Sequence, residues 1–427
     1  MIGAVPVPVA DTLAELATRA LGAPPPIRLR AWDGSESGPA GGPVGIVRSR
    51  RALRRLLWDP NELGLARAYV SGDLDVEGDL AEALGRFWEL TRAARISRPS
   101  PVVLLSMAGT ALRLGVVGPR PAAPPEEARL TGRRHTRSRD RAAIAHHYDL
   151  SNDFYERVLD PRMAYSCGYW TSTDPGYSVE DAQRDKLDLV CAKLGLRPGM
   201  RMLDVGCGWG SLTIHAAQHY GVNVTGITLS EQQRRFVQDR IDREGLGDLA
   251  EVRLQDYREL ADPPFDAIGT LEMGEHVGAE NYPVYASILF RMLRPEGRLL
   301  LQQMSRGAVE QGGGSFIESY IAPDMNMRPV GQTVDLLERA GLEVRDVEAL
   351  REHYVHTCRA WASTIESRWA ELVSLAGERT ARVWRLYLAG SALAFEENRI
   401  GVHQVLAVRP TVEGRSGMPR TRVEAWA

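Results

Sequence analysis

Cysteine is scarce in this 427-residue chain, and the four present, Cys167, Cys191, Cys207 and Cys358, show no paired spacing. Without any C-x-x-C, a cysteine zinc site or disulfide scaffold is excluded, and no metal site is expected. No apolar leader opens the sequence, which together with the lone thiols predicts a reducing compartment. Lysine is scarcer still: Lys186 and Lys193 stand against fifty arginines, a bias that fits a GC-rich genome. The longest apolar run, residues 102–117, is broken by Arg113 and falls short of the roughly 20 residues a bilayer span needs. It reads as a core helix. Charge of one sign is also missing. A net charge of −3 lacks the basic excess of sequence-independent DNA binding, so no nucleic-acid partner is expected. What remains is an ordinary globular composition, 44% hydrophobic and 25% charged, in a chain long enough for two domains.

The organisation follows from where packing patterns stop. Residues 118–141 hold Pro-Arg-Pro, Pro-Pro and RRHTRSRDR, too polar and proline-broken to pack, and read as a linker after an accessory domain of residues 1–117. In that domain Arg50, Arg51, Arg54 and Arg55 alternate with Leu53, Leu56 and Leu57. Such a helix presents either a solvated face or a face for an anionic membrane surface. Residues 142–410 then alternate strand and helix, predicting an α/β fold with a parallel sheet covered on both faces. The strands expected are Met200–Val205, Val222–Thr228, Ala250–Gln255, Phe265–Leu271, Arg298–Met304 and Leu342–Val347, with helices at Ser211–Tyr220, Ser230–Glu244 and Pro283–Leu293. Trp361, Ile365, Trp369 and Leu372, then Val383, Leu386 and Phe395, predict two late covering helices. Val402–Val408 reads as an edge strand, and 411–427 as an unstructured tail.

Between the first expected strand and helix lies Asp204-Val205-Gly206-Cys207-Gly208-Trp209-Gly210. Glycines there let the backbone approach a ligand, and the helix N-terminus offers unpaired N–H groups. The spacing D-x-G-x-G-x-G differs from the dinucleotide fingerprint G-x-G-x-x-G. From Gln183 to about Met304 the chain resembles the S-adenosylmethionine-dependent methyltransferases, with this loop as their motif I. The resemblance implies a class I, Rossmann-like sheet with a helical lid. It also implies a cofactor site built from Asp204, Gly206, Gly208 and Gly210, then Thr228, Leu229 and Gln233, then Gln255, Asp256 and Tyr257, with Tyr165 and Ser166. Thr228 stands where many such enzymes carry an acid for the ribose, and Asp256 could receive the adenine amine or merely cap a turn.

Four further segments are dense in reactive side chains: His146 to Tyr155, Tyr165 to Trp170, Glu272 to Gly278, and His353 to Thr357. Together they look like the cyclopropane-fatty-acyl-phospholipid synthase family, over about Ala145 to Pro410. That family adds a one-carbon unit to the double bond of an unsaturated acyl chain. An alkene is a poor nucleophile, so such a site must be dry, apolar and aligned, and aromatic faces must stabilise a carbocation. Tyr148, Tyr165, Tyr169 and Trp170 are the expected lining, with Tyr148 also counted as catalytic. In the family a bound bicarbonate takes the leftover proton, and its ligands correspond to Cys167, Glu275, Gln302 and Tyr354. Three departures stand out: Gln302 replaces a histidine, Ser391 replaces a cysteine found in several members, and Glu272 is an extra acid three residues before Glu275.

Glutamine cannot carry charge or relay a proton, so bicarbonate binding is expected to be weakened, relocated or lost. Gln302 and the arginine-rich composition together suggest the actinobacterial branch that makes methylene or methyl-branched chains, a separate reductase completing the methyl branch. The expected substrate is then a phospholipid acyl chain such as oleoyl. The expected location is the cytoplasmic side, peripherally on the inner face of the cell membrane, with a homo-oligomer left open. Alternatives are cyclopropane synthesis on the same substrate, methylation of a polar small molecule, and a lipid-binding protein without catalysis.

Overall fold

The computed structural model describes residues 7–93, 101–137, 139–140, 151–307 and 313–421. They form two compact units, Met1–Glu127 with Trp369–Leu393, and Ala128–Arg368 with Ala394–Ala427. In the first, α1 (Val9–Leu21) leads into a small sheet of β1 (Arg28–Arg30), β2 (Glu36–Ser37) and β3 (Val44–Val47), in spatial order β2-β1-β3. Helices α2 (Arg50–Trp58) and α3 (Glu62–Val70) follow, then β4 (Leu74–Glu77) pairs antiparallel with β3. Helices α4 (Leu80–Ala93) and α5 (Pro101–Arg113) complete this stretch.

The arginine stripe of α2 is only partly free: Arg50 and Arg51 are exposed, whereas Arg54 and Arg55 are held by the fold. Ser49 starts the helix by accepting the Arg51 N–H, and Arg55 is buried, its Nε meeting Asp73 at 3.3 Å and its Nη1 the Ala122 carbonyl at 2.9 Å. Arg51 also binds Asp73 at 3.0 Å, and Arg54 donates to the Val116 carbonyl at 3.0 Å. Nor is the 102–117 run wholly core: Thr110, Ala111 and Val116 are buried while Leu112 and Val117 face solvent. The stretch read as a linker divides. Gly118 and Ala122 are held within the first unit by Trp58 and Arg55, whereas the Ala128 N–H bonds to Ser319 in the second.

The second unit is built on a seven-stranded sheet. In chain order it runs α6 (Asn152–Val158), α7 (Val179–Leu194), β5 (Arg201–Val205), α8 (Ser211–Tyr220), β6 (Asn223–Thr228), α9 (Glu231–Arg243), β7 (Ala250–Leu254) and β8 (Phe265–Leu271). It continues through α10 (Tyr282–Met292), β9 (Leu293–Arg306), α11 (Ser315–Tyr320), α12 (Val330–Arg339), β10 (Glu343–Ala349) and α13 (Arg351–Ser367). Helices α14 (Trp369–Ala376) and most of α15 (Glu378–Glu396) belong to the first unit, and β11 (Ile400–Val408) returns to the large sheet. Of the two late helices expected from the apolar spacing, the first is therefore α13 running into α14, and the second packs Ala389 with Tyr69 and Leu80 of the first unit.

The strand order is β10-β11-β9-β8-β5-β6-β7, with β5 to β9 parallel and β11 antiparallel to both neighbours. The expectation of an edge strand at 402–408 is corrected, because β11 lies inside the sheet. Val402 and Val405 to Val408 are all buried, and such a continuous apolar run needs cover on both faces. The outer position goes to β10, where Glu343, Arg345 and Glu348 alternate with more apolar residues. The order of strands reverses at β5, with β6 and β7 laid down on one side of it and β8 on the other, leaving a crevice beyond the carboxyl ends of β5 and β8, where such sheets bind ligands. Beyond Thr411 the tail is not structureless throughout: Met418 packs against the large core.

Candidate active site

The crevice is a cavity walled by the loops that follow β5, β6, β7 and β8. Its lining includes Asp204, Gly206, Gly208, Thr228, Leu229, Gln233, Gln255, Tyr257, Tyr165 and Ser166, so ten of the twelve expected cofactor residues meet there. The other two sit behind it. Gly210 is the N-cap of α8, and Asp256 is a buried carboxylate that caps a short turn and binds Arg258 at 2.8 and 2.6 Å. The cap reading of Asp256 is therefore the observed one.

The glycines are needed for their conformation. Gly206, Gly208 and Gly210 all have positive φ, and a Cβ on Gly210 would lie 2.9 Å from Val237. Around Gly208 the space is open, as a cradle for a ligand requires. Asp204 is buried and accepts from Thr213 at 2.8 Å, its carboxyl pushed up to about 6 by burial. The Thr228 hydroxyl donates to Gln233 Oε1 at 2.7 Å, which turns Gln233 Nε2 away with no partner among the described residues. A buried amide donor without a partner costs free energy until a ligand accepts its hydrogen bond. The loop backbone, the open glycine and this waiting donor fit the ribose and amino-acid ends of S-adenosylmethionine.

At the far wall stand Met163, Leu271, Glu272, Met273, His276, Val277 and Pro323. His276 is held neutral, its pKa lowered to about 4 by burial. Glu272 follows β8 directly and has a φ of 52°, a conformation uncommon outside glycine that clusters at functional sites. Its carboxylate gathers three donors: Cys167 N–H at 2.8 Å, Gln302 Nε2 at 3.0 Å and Tyr354 OH at 2.6 Å. Cys167, Gln302 and Tyr354 are three of the four residues matched to an anion site, and here they converge on a carboxylate of the chain itself. The fourth, Glu275, lies behind, its Oε1 accepting the Met304 N–H at 2.6 Å.

Burial raises the pKa of both glutamates, but they are not equivalent. Glu275 is pushed up to about 8, by burial first and then by the charge of Glu272. Glu272 is raised by burial and opposed by its three donors and by Lys186. Two neighbouring carboxyls cannot both ionise cheaply, so Glu275 holds the proton and Glu272 the charge. The Cys167 thiol is pushed well up by burial and is no nucleophile. Lys186, itself buried, donates to Ser166 at 3.0 Å and links the cofactor wall to this carboxylate.

Aromatic rings run between the two walls. Trp209 lies 4.3 Å from Tyr155, Tyr155 5.8 Å from Tyr165, Tyr165 5.5 Å from Trp361, and Trp361 6.3 Å from Tyr354. Of the expected lining, Tyr165 is on the cavity. Tyr169 stacks on His353 and Trp170 donates to Thr357, so both are directed elsewhere. Tyr148, with His146 and His147, lies outside the described residues. Sequence reasoning left the role of Glu272 open and missed Lys186, Tyr155 and Trp361. The available signal was that the chain keeps only two lysines, a sign that an arginine fork does not suit those positions.

A mostly parallel sheet with a glycine loop at its switch point, and a cavity lined by that loop and the turns after the next strands, defines a class I S-adenosylmethionine-dependent methyltransferase. Residues 135–405 match the family described as mycolic acid cyclopropane synthetase, and the chain belongs to it. A probable fatty acid methyltransferase of Mycobacterium tuberculosis is 40% identical over 408 residues, 92% of this chain and 93% of that protein. The cyclopropane-fatty-acyl-phospholipid synthase of Escherichia coli is 37% identical over 307 residues, 71% of this chain and 78% of its own length. A tuberculostearic acid methyltransferase of Mycobacterium tuberculosis is 30% identical over 397 residues, 90% and 88%. Among solved structures, the cyclopropane synthase MmaA2 from Mycobacterium tuberculosis is 30% identical with a TM-score of 0.60, covering 62% of this chain and 97% of that one. CmaA1 in complex with S-adenosylhomocysteine matches at 31% and 0.59, with the same coverage.

Proposed function

We propose that this enzyme adds a one-carbon unit to the double bond of an unsaturated phospholipid acyl chain such as oleoyl, and that Glu272 is the base that leads to a methylene-branched product. The observation that carries the reading is the Glu272 carboxylate, fixed by three donors at the wall of the cofactor cavity. Bound S-adenosylmethionine would lie along Gly206, Gly208, Thr228 and Gln233 and supply an electrophilic methyl group. The chain's part is to exclude water, hold the alkene and remove a proton. Positive charge left on the acyl carbon is stabilised by the faces of Tyr165 and its neighbouring rings and by the Glu272 anion. After a hydride shift on the acyl chain, a Glu272 oxygen accepts a proton from the added methyl, whose C–H electron pair forms a C=CH2 methylene branch on the chain. A bicarbonate is not needed, because its expected donors already serve Glu272.

The similarity to a tuberculostearic acid methyltransferase supports a branched product, and a separate reductase would then complete the methyl branch. The test is incubation with S-adenosylmethionine and liposomes of dioleoyl phosphatidylglycerol, followed by mass spectrometry and proton NMR of the released fatty acids. Vinylidene protons are expected. Cyclopropane signals alone would overturn the reading. Glu272→Gln should lower turnover by about 10²–10⁴-fold, the usual worth of a general base, while S-adenosylhomocysteine binding by calorimetry stays intact.

A further inference from the structure

Gln302 and Gln404 are partners across β9 and β11, and both are fully buried. Gln404 Nε2 donates to Gln302 Oε1 at 3.0 Å, and Gln302 Nε2 donates in turn to Glu272 Oε1 at 3.0 Å. A carboxamide has a donor end and an acceptor end of nearly equal size, so two buried glutamines in series can be ordered in two directions. In one, an N–H meets Glu272. In the other an oxygen does, and the carboxylate loses a donor and gains a repulsion.

The direction is held from both ends of the row: the Glu272 carboxylate at 3.0 Å and the Cys167 carbonyl at 3.5 Å accept only and draw the Gln302 nitrogen, and a fixed donor stands at the far end. Gln404 Oε1 accepts from Lys193 Nζ at 2.8 Å. An ammonium donates and never accepts, so Gln404 must turn its oxygen to Lys193, its nitrogen to Gln302, and thereby the nitrogen of Gln302 to Glu272. Lys193 is buried, and its charge is answered by Glu348, in hydrogen-bond contact, and by Asp346 at 3.8 Å.

We propose that Lys193 is a positioning residue for Glu272, acting through Gln404 and Gln302 to lock the nitrogen end of Gln302 onto the carboxylate. The proposal rests on Glu272 as the base and explains how glutamine serves where the family carries a histidine: its orientation is secured by a fixed charge two residues away in the row. The other groups facing Glu272 are Lys186, Glu275, Cys167, Cys358 and Tyr354, and those around Lys193 are Glu348 and Asp346, with Tyr169 and His353 beside Glu348. The row reaches the carboxylate through Gln302, whose Nε2 also lies 3.5 Å from the Cys167 carbonyl.

The test compares Lys193→Met, which removes the fixed donor, with Gln404→Leu, which interrupts the row and leaves Lys193 with its acids. Difference infrared titration follows the protonated Glu272 carbonyl band, assigned by its loss in Glu272→Gln. Both variants should raise the Glu272 midpoint by about one pH unit, the worth of one charge-assisted hydrogen bond, and move the acid limb of kcat with it. S-adenosylhomocysteine affinity should not change. A merely structural role would lower the melting temperature and leave the midpoint where it is, and that result in Gln404→Leu sinks the proposal. If the midpoints move but Glu272→Gln still turns over, the ordering by Lys193 stands and the assignment of Glu272 as base fails.

Discussion

Glu275 shows how a single side chain carries a pH dependence. Its carboxyl holds a proton up to about 8 in the fold, against 4.5 for an ordinary glutamate. As pH rises between those values the unfolded chain releases that proton and the folded chain keeps it, so this group favours folding most at low pH and loses that contribution by about pH 8. Replacing it by the neutral Glu275→Gln should flatten the fall in melting temperature between about pH 5 and 8, read by thermal denaturation across a buffer series. A wild-type melting curve already flat there would count against the assignment. The neighbouring Glu272 differs because three donors surround it while Glu275 Oε2 has no partner among the described residues. Spacing in the sequence pairs the two acids but does not say which is charged. That depends on a thiol-bearing loop, a strand and a helix brought together from 105, 30 and 82 residues away.

For elements, the glycine loop separates conformational need from ligand need. Gly210→Ala meets both a positive φ and Val237, so it should lower the melting temperature, by roughly 1–3 kcal/mol of stability. Gly208→Ala meets no protein atom within 4 Å, so its stability cost should be confined to about 1–2 kcal/mol of backbone strain. It should weaken S-adenosylhomocysteine by calorimetry more than Gly210→Ala does. Helix α2 gives a second case. Because Arg55 pairs with Asp73 inside the first unit, Arg55→Gln should destabilise the fold, and a loss of liposome binding in that variant would not by itself report a membrane face. Arg50, Arg51, Leu57 and Trp58, all exposed, are the side chains on that helix left for a membrane test. Among the described residues no helix is long and apolar enough to cross a bilayer.

In the whole molecule, the chain is not two consecutive domains. Arg382 of α15 reaches Asp75 of β4 at 2.9 Å, and Arg385 of the same helix meets the Tyr69 hydroxyl at 3.2 Å, so the first unit is completed by residues more than 240 positions beyond its main body. A fragment of residues 1–127 should therefore lack cooperative unfolding by circular dichroism, and joining 369–393 to it should restore a transition. A fully cooperative 1–127 fragment would contradict this. Arg382→Met should cost about 1.5–3 kcal/mol, because Asp75 loses a buried charge-assisted hydrogen bond while Arg48 remains at 2.8 Å.

Local pattern alone determined much of the second unit. Strand β8 and helix α8 lie where alternation and periodicity place them, and the other early strands differ by a residue or so at their starts or ends. The glycine loop and most of its companions on the cavity were legible because each belongs to a turn next to its own strand. Only the tertiary structure decided that β11 lies inside the sheet, that α15 serves the first unit, and that Cys167, Gln302 and Tyr354 bind Glu272. The physical reason is range. Periodicity and turn chemistry act over a few residues, whereas burial, the pairing of distant strands and the sharing of one charge among distant donors exist only once the chain has closed upon itself.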